Sequence, residues 1–382
     1  MYGSMPSEKV YEIAGKYNAK VVDLRSDTLT KPTPAMLRAM SEAVVGDDVY
    51  GEDPTVKELE RQVALLTGME AGLFVPSGTM GNLVAVMTHC DTRGCEIYVG
   101  EHSHIAQHEQ GGAAQVAGVM VNAIPQLPDG TFDLGELGSR LKSDWLHEPF
   151  SRLVAIENTI NGKAVPRAWI SDVVRLARER NLRVHCDGAR IVNASVATDM
   201  KVADILEGCD SVSVCLSKGL GAPVGSVLCG SAQFIHRARR TRKVLGGGLR
   251  QSGVLAAAGL VALKDAEERL FVDHKNCRMV AEALAHYQSE DFSVDLATTH
   301  TNMMFVKVRQ TEAWDAYKFV ARMQQVRDEE DPRDLTLVRG LALAPNLARF
   351  VFHRDIDEDM AKAVKDKIDC ILRDVTVRVT IN

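Results

Sequence analysis

Leu182-Arg183-Val184-His185-Cys186-Asp187-Gly188-Ala189-Arg190 is an apolar run that closes on an acid and a glycine. Beyond it, Ser211-Val212-Ser213-Val214-Cys215-Leu216-Ser217-Lys218-Gly219-Leu220-Gly221 is a second apolar run that closes on a lysine among glycines. Working outward, Leu73–Val75, Glu96–Val99, Val119–Ala123 and Leu153–Glu157 read as earlier strands of the same kind. Helical patterns separate them at Thr79–Thr88, Ile105–Gly111, Leu134–Leu141 and Ala168–Arg180, with Lys201–Glu207 following. Strands rich in Val and Ile, alternating with helices, predict a mostly parallel sheet covered on both faces. Ser217–Pro223 is too short for a helical crossover, so the next strand, Val224–Cys229, must return antiparallel.

Around this α/β block the chain divides further. Val21–Leu24 reads as a short extended piece after a polar N-terminal segment. Pro34–Val45 has helical spacing, and Asp53-Pro54 supplies an N-cap and an N1 proline for a helix through about Leu66. A basic helix at Phe234–Lys243 precedes Gly246-Gly247-Gly248 and an Ala-rich helix from about Val254. Past about residue 270 the pattern becomes α+β, with strands at Met303–Val308 and Arg349–Phe352. The expected domains are an N-terminal segment 1–38 contributing to the active site and a small domain, a large domain 39–270, and a small C-terminal domain 271–382.

Composition excludes several classes of function. Of 382 residues, 46% are hydrophobic and 25% charged, and the net charge is −6. That is a globular composition with no electrostatic footprint for nucleic acid or anionic lipid, and no apolar run is long enough for a membrane span. The eight cysteines form no CxxC pair and read as reduced thiols, which makes the cytosol the expected compartment. Nothing matches a Walker loop, and Gly219-Leu220-Gly221-Ala222-Pro223-Val224 misses the third glycine of a dinucleotide fingerprint.

An acid and a lysine placed at strand ends suit a heterocyclic aldehyde cofactor. The lysine amine condenses with the aldehyde, and the carboxylate holds the ring nitrogen protonated so that the ring accepts electrons. Pro76-Ser77-Gly78-Thr79-Met80-Gly81-Asn82 joins a strand to a helix start, where free amides and hydroxyls suit a phosphate. His102, His104 and His108 are spaced like metal ligands but lack a further ligand at motif spacing. An imidazole stacked on a flat ring, His104, is the simpler role.

Taken together, Asp23–Thr28, Gly46–Pro54, Pro76–Asn82, Glu157-Asn158-Thr159, Asp187–Arg190, Ser217–Ser226 and Gly246–Gln251 resemble the low-specificity L-threonine aldolases. These belong to the β-eliminating lyase group of fold-type-I pyridoxal phosphate enzymes. The resemblance implies that Lys218 carries pyridoxal 5'-phosphate, Asp187 pairs with its ring nitrogen, His104 stacks on the ring, and Ser77, Gly78 and Thr79 lie at the phosphate. It also implies that Ser26, Arg190 and Arg349 bind the substrate carboxylate and that Tyr50 lines the site. Lys243 and Arg250 would reach it from a neighbouring subunit of a homodimer or homotetramer. The implied reaction is retro-aldol cleavage of L-allo-threonine or L-threonine to glycine and acetaldehyde. Its alternatives are β-elimination or racemisation with the same cofactor, or an inactive homologue kept for binding.

Two positions depart from the family pattern. Ile160 stands where a histidine usually faces the substrate side chain, and His108 where an aromatic is common. The expected effect of Ile160 is on substrate preference, with the cofactor constellation intact.

Overall fold

The computed structural model describes residues 5–143, 145–327, 330 and 335–379, with side chains up to residue 373. The chain divides into two compact units: Thr30–Glu267, and the described residues before Thr30 together with those from Glu268 onward.

In the larger unit, Thr33 caps the helix Pro34–Ser41 by accepting from the Met36 amide. The helix stops four residues short of the predicted Val45. Asp53 does more. Its Oδ1 accepts from the amides of Thr55 and Val56 at the start of the helix Pro54–Thr67, and its Oδ2 accepts from Gly253 N at 2.8 Å. A Cβ on Gly253 would stand 2.5 Å from that carboxylate, so only glycine allows the approach. This single side chain ties the Gly46–Pro54 motif to the segment after Gly246–Gln251. The Asp48 amide bonds the Arg250 carbonyl at 2.7 Å beside it.

Strands are numbered along the chain. β1 (Lys20–Asp23) belongs to the smaller unit. The larger holds β2 (Ala71–Val75), β3 (Cys95–Gly100), β4 (Met120–Ile124), β5 (Phe150–Glu157), β6 (Arg183–Asp187), β7 (Ser211–Cys215) and β8 (Ser226–Gly230). They form one sheet in the order β2-β8-β7-β6-β5-β3-β4. β8 pairs antiparallel with both β2 and β7, as the short Ser217–Pro223 connection predicts, and the remaining pairs are parallel. Every position of β3, β7 and β8 is buried, which requires cover on both faces. In register, Glu157 lies opposite Asp187 and Asp187 opposite Ser213, so three strands end side by side.

The smaller unit pairs β1 in parallel with β11 (Thr336–Arg339). It also contains an antiparallel sheet of β9 (Phe292–Val294), β10 (Met303–Val308), β12 (Leu341–Ala344) and β13 (Leu347–Val351), in the order β12-β13-β10-β9. Its core includes Phe292, Phe319, Phe350 and Phe352.

Three helices depart from the sequence reading. Ser7–Tyr17 is helical although it reads as a polar segment, because only Val10 and Ala14 are buried and two residues make too thin a stripe to detect. Ile191–Thr198 is apolar on most sides and therefore lacks an amphipathic period. The predicted helix Ile105–Gly111 is instead two short ones, His104–Gln107 and Gly112–Gln115, because Gln110 and Gly111 both take positive φ.

None of the eight cysteines is in a disulfide; seven are buried and Cys370 is partly so. Burial pushes the thiols of Cys90, Cys209 and Cys229 up to about 12, and those of Cys186, Cys215 and Cys277 also upward.

Candidate active site

Because β5, β6 and β7 are parallel and in register, their carboxyl ends deliver Glu157, Asp187 and the Cys215–Lys218 turn to one place. This is where ligands bind in open α/β sheets. Asp187 is 3% exposed, yet well supplied with donors: Oδ1 accepts from the Ala189 amide at 3.0 Å, and Oδ2 from Asn82 Nδ2 at 2.7 Å. Glu157 has fewer. It accepts from the His104 amide at 2.7 Å, and burial followed by repulsion from Asp187 pushes its carboxyl up to about 8. Of these neighbouring carboxyls, Asp187 is buried and Glu157 half-buried. Asp187 ends β6, and Lys218 lies three residues beyond the end of its parallel neighbour β7, so both stand at the same edge of the sheet.

His104 starts the short helix that Ser103 caps. Its Nδ1 lies 2.9 Å from Glu109 Oε1, and the same oxygen accepts from Asn82 Nδ2 at 2.8 Å. With Nδ1 carrying the proton toward Glu109, Nε2 is left as an acceptor. Burial raises the Glu109 carboxyl. The three histidines do not converge. His102 bonds Gln107, while exposed His108 lies with its ring tilted 56° and 5.6 Å from that of His104. Instead, His104, Glu109 and Asp187 bring polar atoms within 4.8 Å of one another. The Asn82 amide donates to both carboxylates of this trio, an arrangement that holds two anions by N–H groups.

The phosphate candidates stand on the helix Gly78–His89. Ser77 caps it, its Oγ accepting from the Met80 amide, and the amides of Gly78 and Thr79 have no intrahelical acceptor. A Cβ on Gly78 would come within 2.6 Å of Cys215 Sγ, so glycine lets this helix start lie against the end of β7. Arg190 precedes the helix Ile191–Thr198 and draws the Glu157 carboxyl downward.

The other candidates have these surroundings. Exposed Tyr50 and Arg250 form a group of their own, with the guanidinium 5.9 Å from the ring and paired to Asp47 at 2.8 Å. Lys243 is exposed in the last turn of the helix Ala232–Val244, beside Gly248. Ile160 is buried in a turn with Lys163, its Cγ2 against Gly130. Ser26 and Arg349 belong to the smaller unit; Ser26 Oγ accepts from Thr28, and Arg349 donates to the Arg25 carbonyl at 3.2 Å.

Sequence reasoning missed Glu109, Asn82 and His185. Asn82 lies in a motif it singled out, but on the helix beyond the phosphate residues. Glu109 follows His104 by five positions across the helix break, where no periodicity flags it.

A buried carboxylate with a lone pair to spare, a half-buried lysine and a glycine-lined helix start fit pyridoxal phosphate. A sequence profile of the beta-eliminating lyases matches residues 23–310. The chain belongs to the beta-eliminating lyase family. It is 47% identical over 293 residues to the low specificity L-threonine aldolase of Escherichia coli K12, covering 77% of this chain and 86% of that one. It is 46% identical to a probable low-specificity L-threonine aldolase of Arabidopsis thaliana, covering 80% and 87%. The threonine aldolase structure from Leishmania major superposes with a TM-score of 0.76 at 19% identity, covering 92% and 99%, a likeness of fold. The lyase thus has the fold of the pyridoxal phosphate enzymes that the resemblance implied, built on the mostly parallel sheet that the strand pattern predicted.

His185, fully buried on β6, has its pKa lowered to about 4, chiefly by desolvation. In the unfolded chain it titrates near ~6.5. The unfolded state therefore takes up the proton first: this stabilisation is complete above about pH 6.5 and is lost as pH falls through 4. Denaturant titrations at pH 7.5 and pH 5 should differ by about 2 kcal/mol on account of His185. That share should vanish in His185→Phe, and a wild-type-sized difference in the variant would show that His185 does not carry it.

Proposed function

We propose that this lyase performs retro-aldol cleavage of β-hydroxy-α-amino acids, L-allo-threonine and L-threonine among them, to glycine and an aldehyde. The observation that supports the reading is that Asp187 ends β6 and Lys218 follows the end of its parallel neighbour β7, at the same edge of the sheet. The close relatives named as threonine aldolases supply the substrate class. When bound, pyridoxal phosphate supplies an aldehyde that condenses with amines and a ring that takes up the electron pair released at Cα.

The chain's own groups do the rest. Lys218 would hold the cofactor through its amine. Asp187, which accepts from Ala189 N and Asn82 Nδ2, would face the ring nitrogen and favour its protonated form. His104 would lie against the ring, with Nε2 placed to accept the β-hydroxyl proton while Nδ1–H stays toward Glu109. The Cα–Cβ bond then breaks, the aldehyde departs, and Cα takes a proton to give glycine. Ser77, Gly78 and Thr79 bind the phosphate. Ser26, Arg190 and Arg349 bind the substrate carboxylate, for which a guanidinium fork is suited.

In this reading Ile160 and His108 border the substrate side chain, and Tyr50 lines the site. The enzyme is a homodimer or homotetramer, with Lys243 and Arg250 completing a neighbour's site. The exposure of both side chains supports this. Eight cysteines outside any disulfide support a cytosolic setting.

Purified enzyme loaded with cofactor and mixed with L-allo-threonine should release acetaldehyde and glycine in equal amounts. Lys218→Ala should lose both the visible absorbance of the bound cofactor and turnover. Ammonia with an oxo acid, or an inverted amino acid, would instead mark elimination or racemisation. Ile160→His should change the ratio of kcat/KM for threonine to that for allo-threonine at least about threefold, since one hydrogen bond to a neutral group contributes roughly 0.5–1.5 kcal/mol; an unchanged ratio places residue 160 away from the substrate side chain. Lys218→Ala and Arg250→Ala should each be inactive alone. Reassorted together they should recover roughly a quarter of wild-type activity in a dimer, because half the dimers then carry one intact site. No recovery would mean that each site is built from a single chain.

A further inference from the structure

Behind Asp187, on the side away from the strand ends, a line of buried polar groups has no part in the reaction as described. Asn82 Oδ1 lies 3.1 Å from His185 Nε2, His185 Nδ1 lies 2.8 Å from Ser211 Oγ, and Ser211 Oγ lies 2.8 Å from His89 Nε2. Asn82, His185 and Ser211 are each at most 1% exposed. His89 stacks on Phe234 with ring centroids 4.5 Å apart. It borders a cavity of about 450 Å³ that is also lined by Arg152, Arg178, Arg183 and Arg237.

The direction of every bond follows from the inventory of donors. Asn82 faces the carboxylates of Asp187 and Glu109, which accept, so both N–H groups of its amide point to them and its oxygen points back. That oxygen can only accept, so His185 carries its proton on Nε2. Burial lowers His185 to about 4 and, with help from His185, Arg183 and Arg237, lowers His89 to about 3. Both rings are therefore neutral. Neutral His185 must accept at Nδ1, which takes the one hydroxyl proton of Ser211. Ser211 Oγ must then accept from His89 Nε2–H. All the donors face one way, and the last of them ends on Asp187 Oδ2.

We propose that Asn82 and His185 are positioning residues for Asp187. A one-way hydrogen-bond chain, His89 to Ser211 to His185 to Asn82, keeps that carboxylate ionised and aimed, and so keeps the cofactor's ring nitrogen protonated. This rests on the reading of Asp187 as the ring-nitrogen partner. Asn82 gives Asp187 a side-chain hydrogen bond at Oδ2, and Ala189 gives it a backbone one at Oδ1. Removing a donor to a buried charged acceptor typically changes an equilibrium by roughly tenfold or more.

Two measurements test the chain. In the cofactor-free protein, long-range proton–nitrogen correlation spectra should show His185 and His89 protonated at Nε2 only from pH 6 to 8. An Nδ1–H tautomer or a cationic ring at either position would overturn the proposal without reference to any activity. In protein loaded with 15N-labelled pyridoxal phosphate, the wild-type ring nitrogen should be protonated. In Asn82→Ala its shift should move toward the unprotonated value, with kcat lowered roughly tenfold or more and KM changed less than about threefold. His185→Phe should move it in the same direction, and His185→Gln, which returns an N–H near the same place, should restore it. A ring-nitrogen shift unmoved in Asn82→Ala would sink the proposal, and the tautomer measurement decides the matter if that variant does not fold. An unprotonated ring nitrogen in the wild type, with the tautomers as derived, would instead sink the role assigned to Asp187.

Discussion

Two carboxyl groups brought to adjacent strand ends compete for charge, and the candidate site is organised around that constraint. The register sets Glu157 beside Asp187, and burial followed by repulsion from Asp187 raises the Glu157 carboxyl. The donors differ as well. Asp187 accepts from a backbone amide and from Asn82, and Glu157 accepts from the His104 amide. The asymmetry does not reside in either acid. It resides in a helix, Gly78–His89, that brings Asn82 to the sheet, and in a glycine, Gly78, that lets the helix come so near.

In the proposed reading, the same helix would serve both ends of a flat cofactor. Its first turn offers amides to a phosphate, and Asn82, within its second turn, bonds the acid proposed to meet the ring nitrogen. A single rigid element would then set the distance between the two ends of the ring. The two glycine-rich motifs that sequence reading placed far apart, Gly46–Pro54 and Gly246–Gln251, prove to be adjacent through the Asp48 amide and the Arg250 carbonyl, with Asp53 and Gly253 beside them. They frame the exposed Tyr50 and Arg250 pair.

Much of this was legible in the order of residues. Apolar runs closing on Asp187 and Lys218 marked the strand ends, the brevity of Ser217–Pro223 dictated the antiparallel β8, and Asp53-Pro54 announced a helix start. What was not legible shares a physical cause. Glu109 reaches His104 only because the backbone at Gln110 and Gly111 turns to positive φ and ends the helix that periodicity would have continued. Asn82 and His185 meet only because a helix and a strand 103 positions apart are packed together. Local pattern carries no record of such pairings. Ser7–Tyr17 escaped for the opposite reason: its stripe of two buried residues is too narrow to stand out from a polar background.

The buried thiols have a practical meaning. A thiol whose ionisation is suppressed and whose sulfur is walled off reacts with an alkylating reagent only when the surrounding structure opens. Cys277 lies within the smaller unit, while Cys186, Cys209, Cys215 and Cys229 line the larger. The unaltered chain therefore carries its own set of stopwatches. Reading by mass which sulfur is modified, and how fast, would time the breathing of each unit separately, with no engineered label.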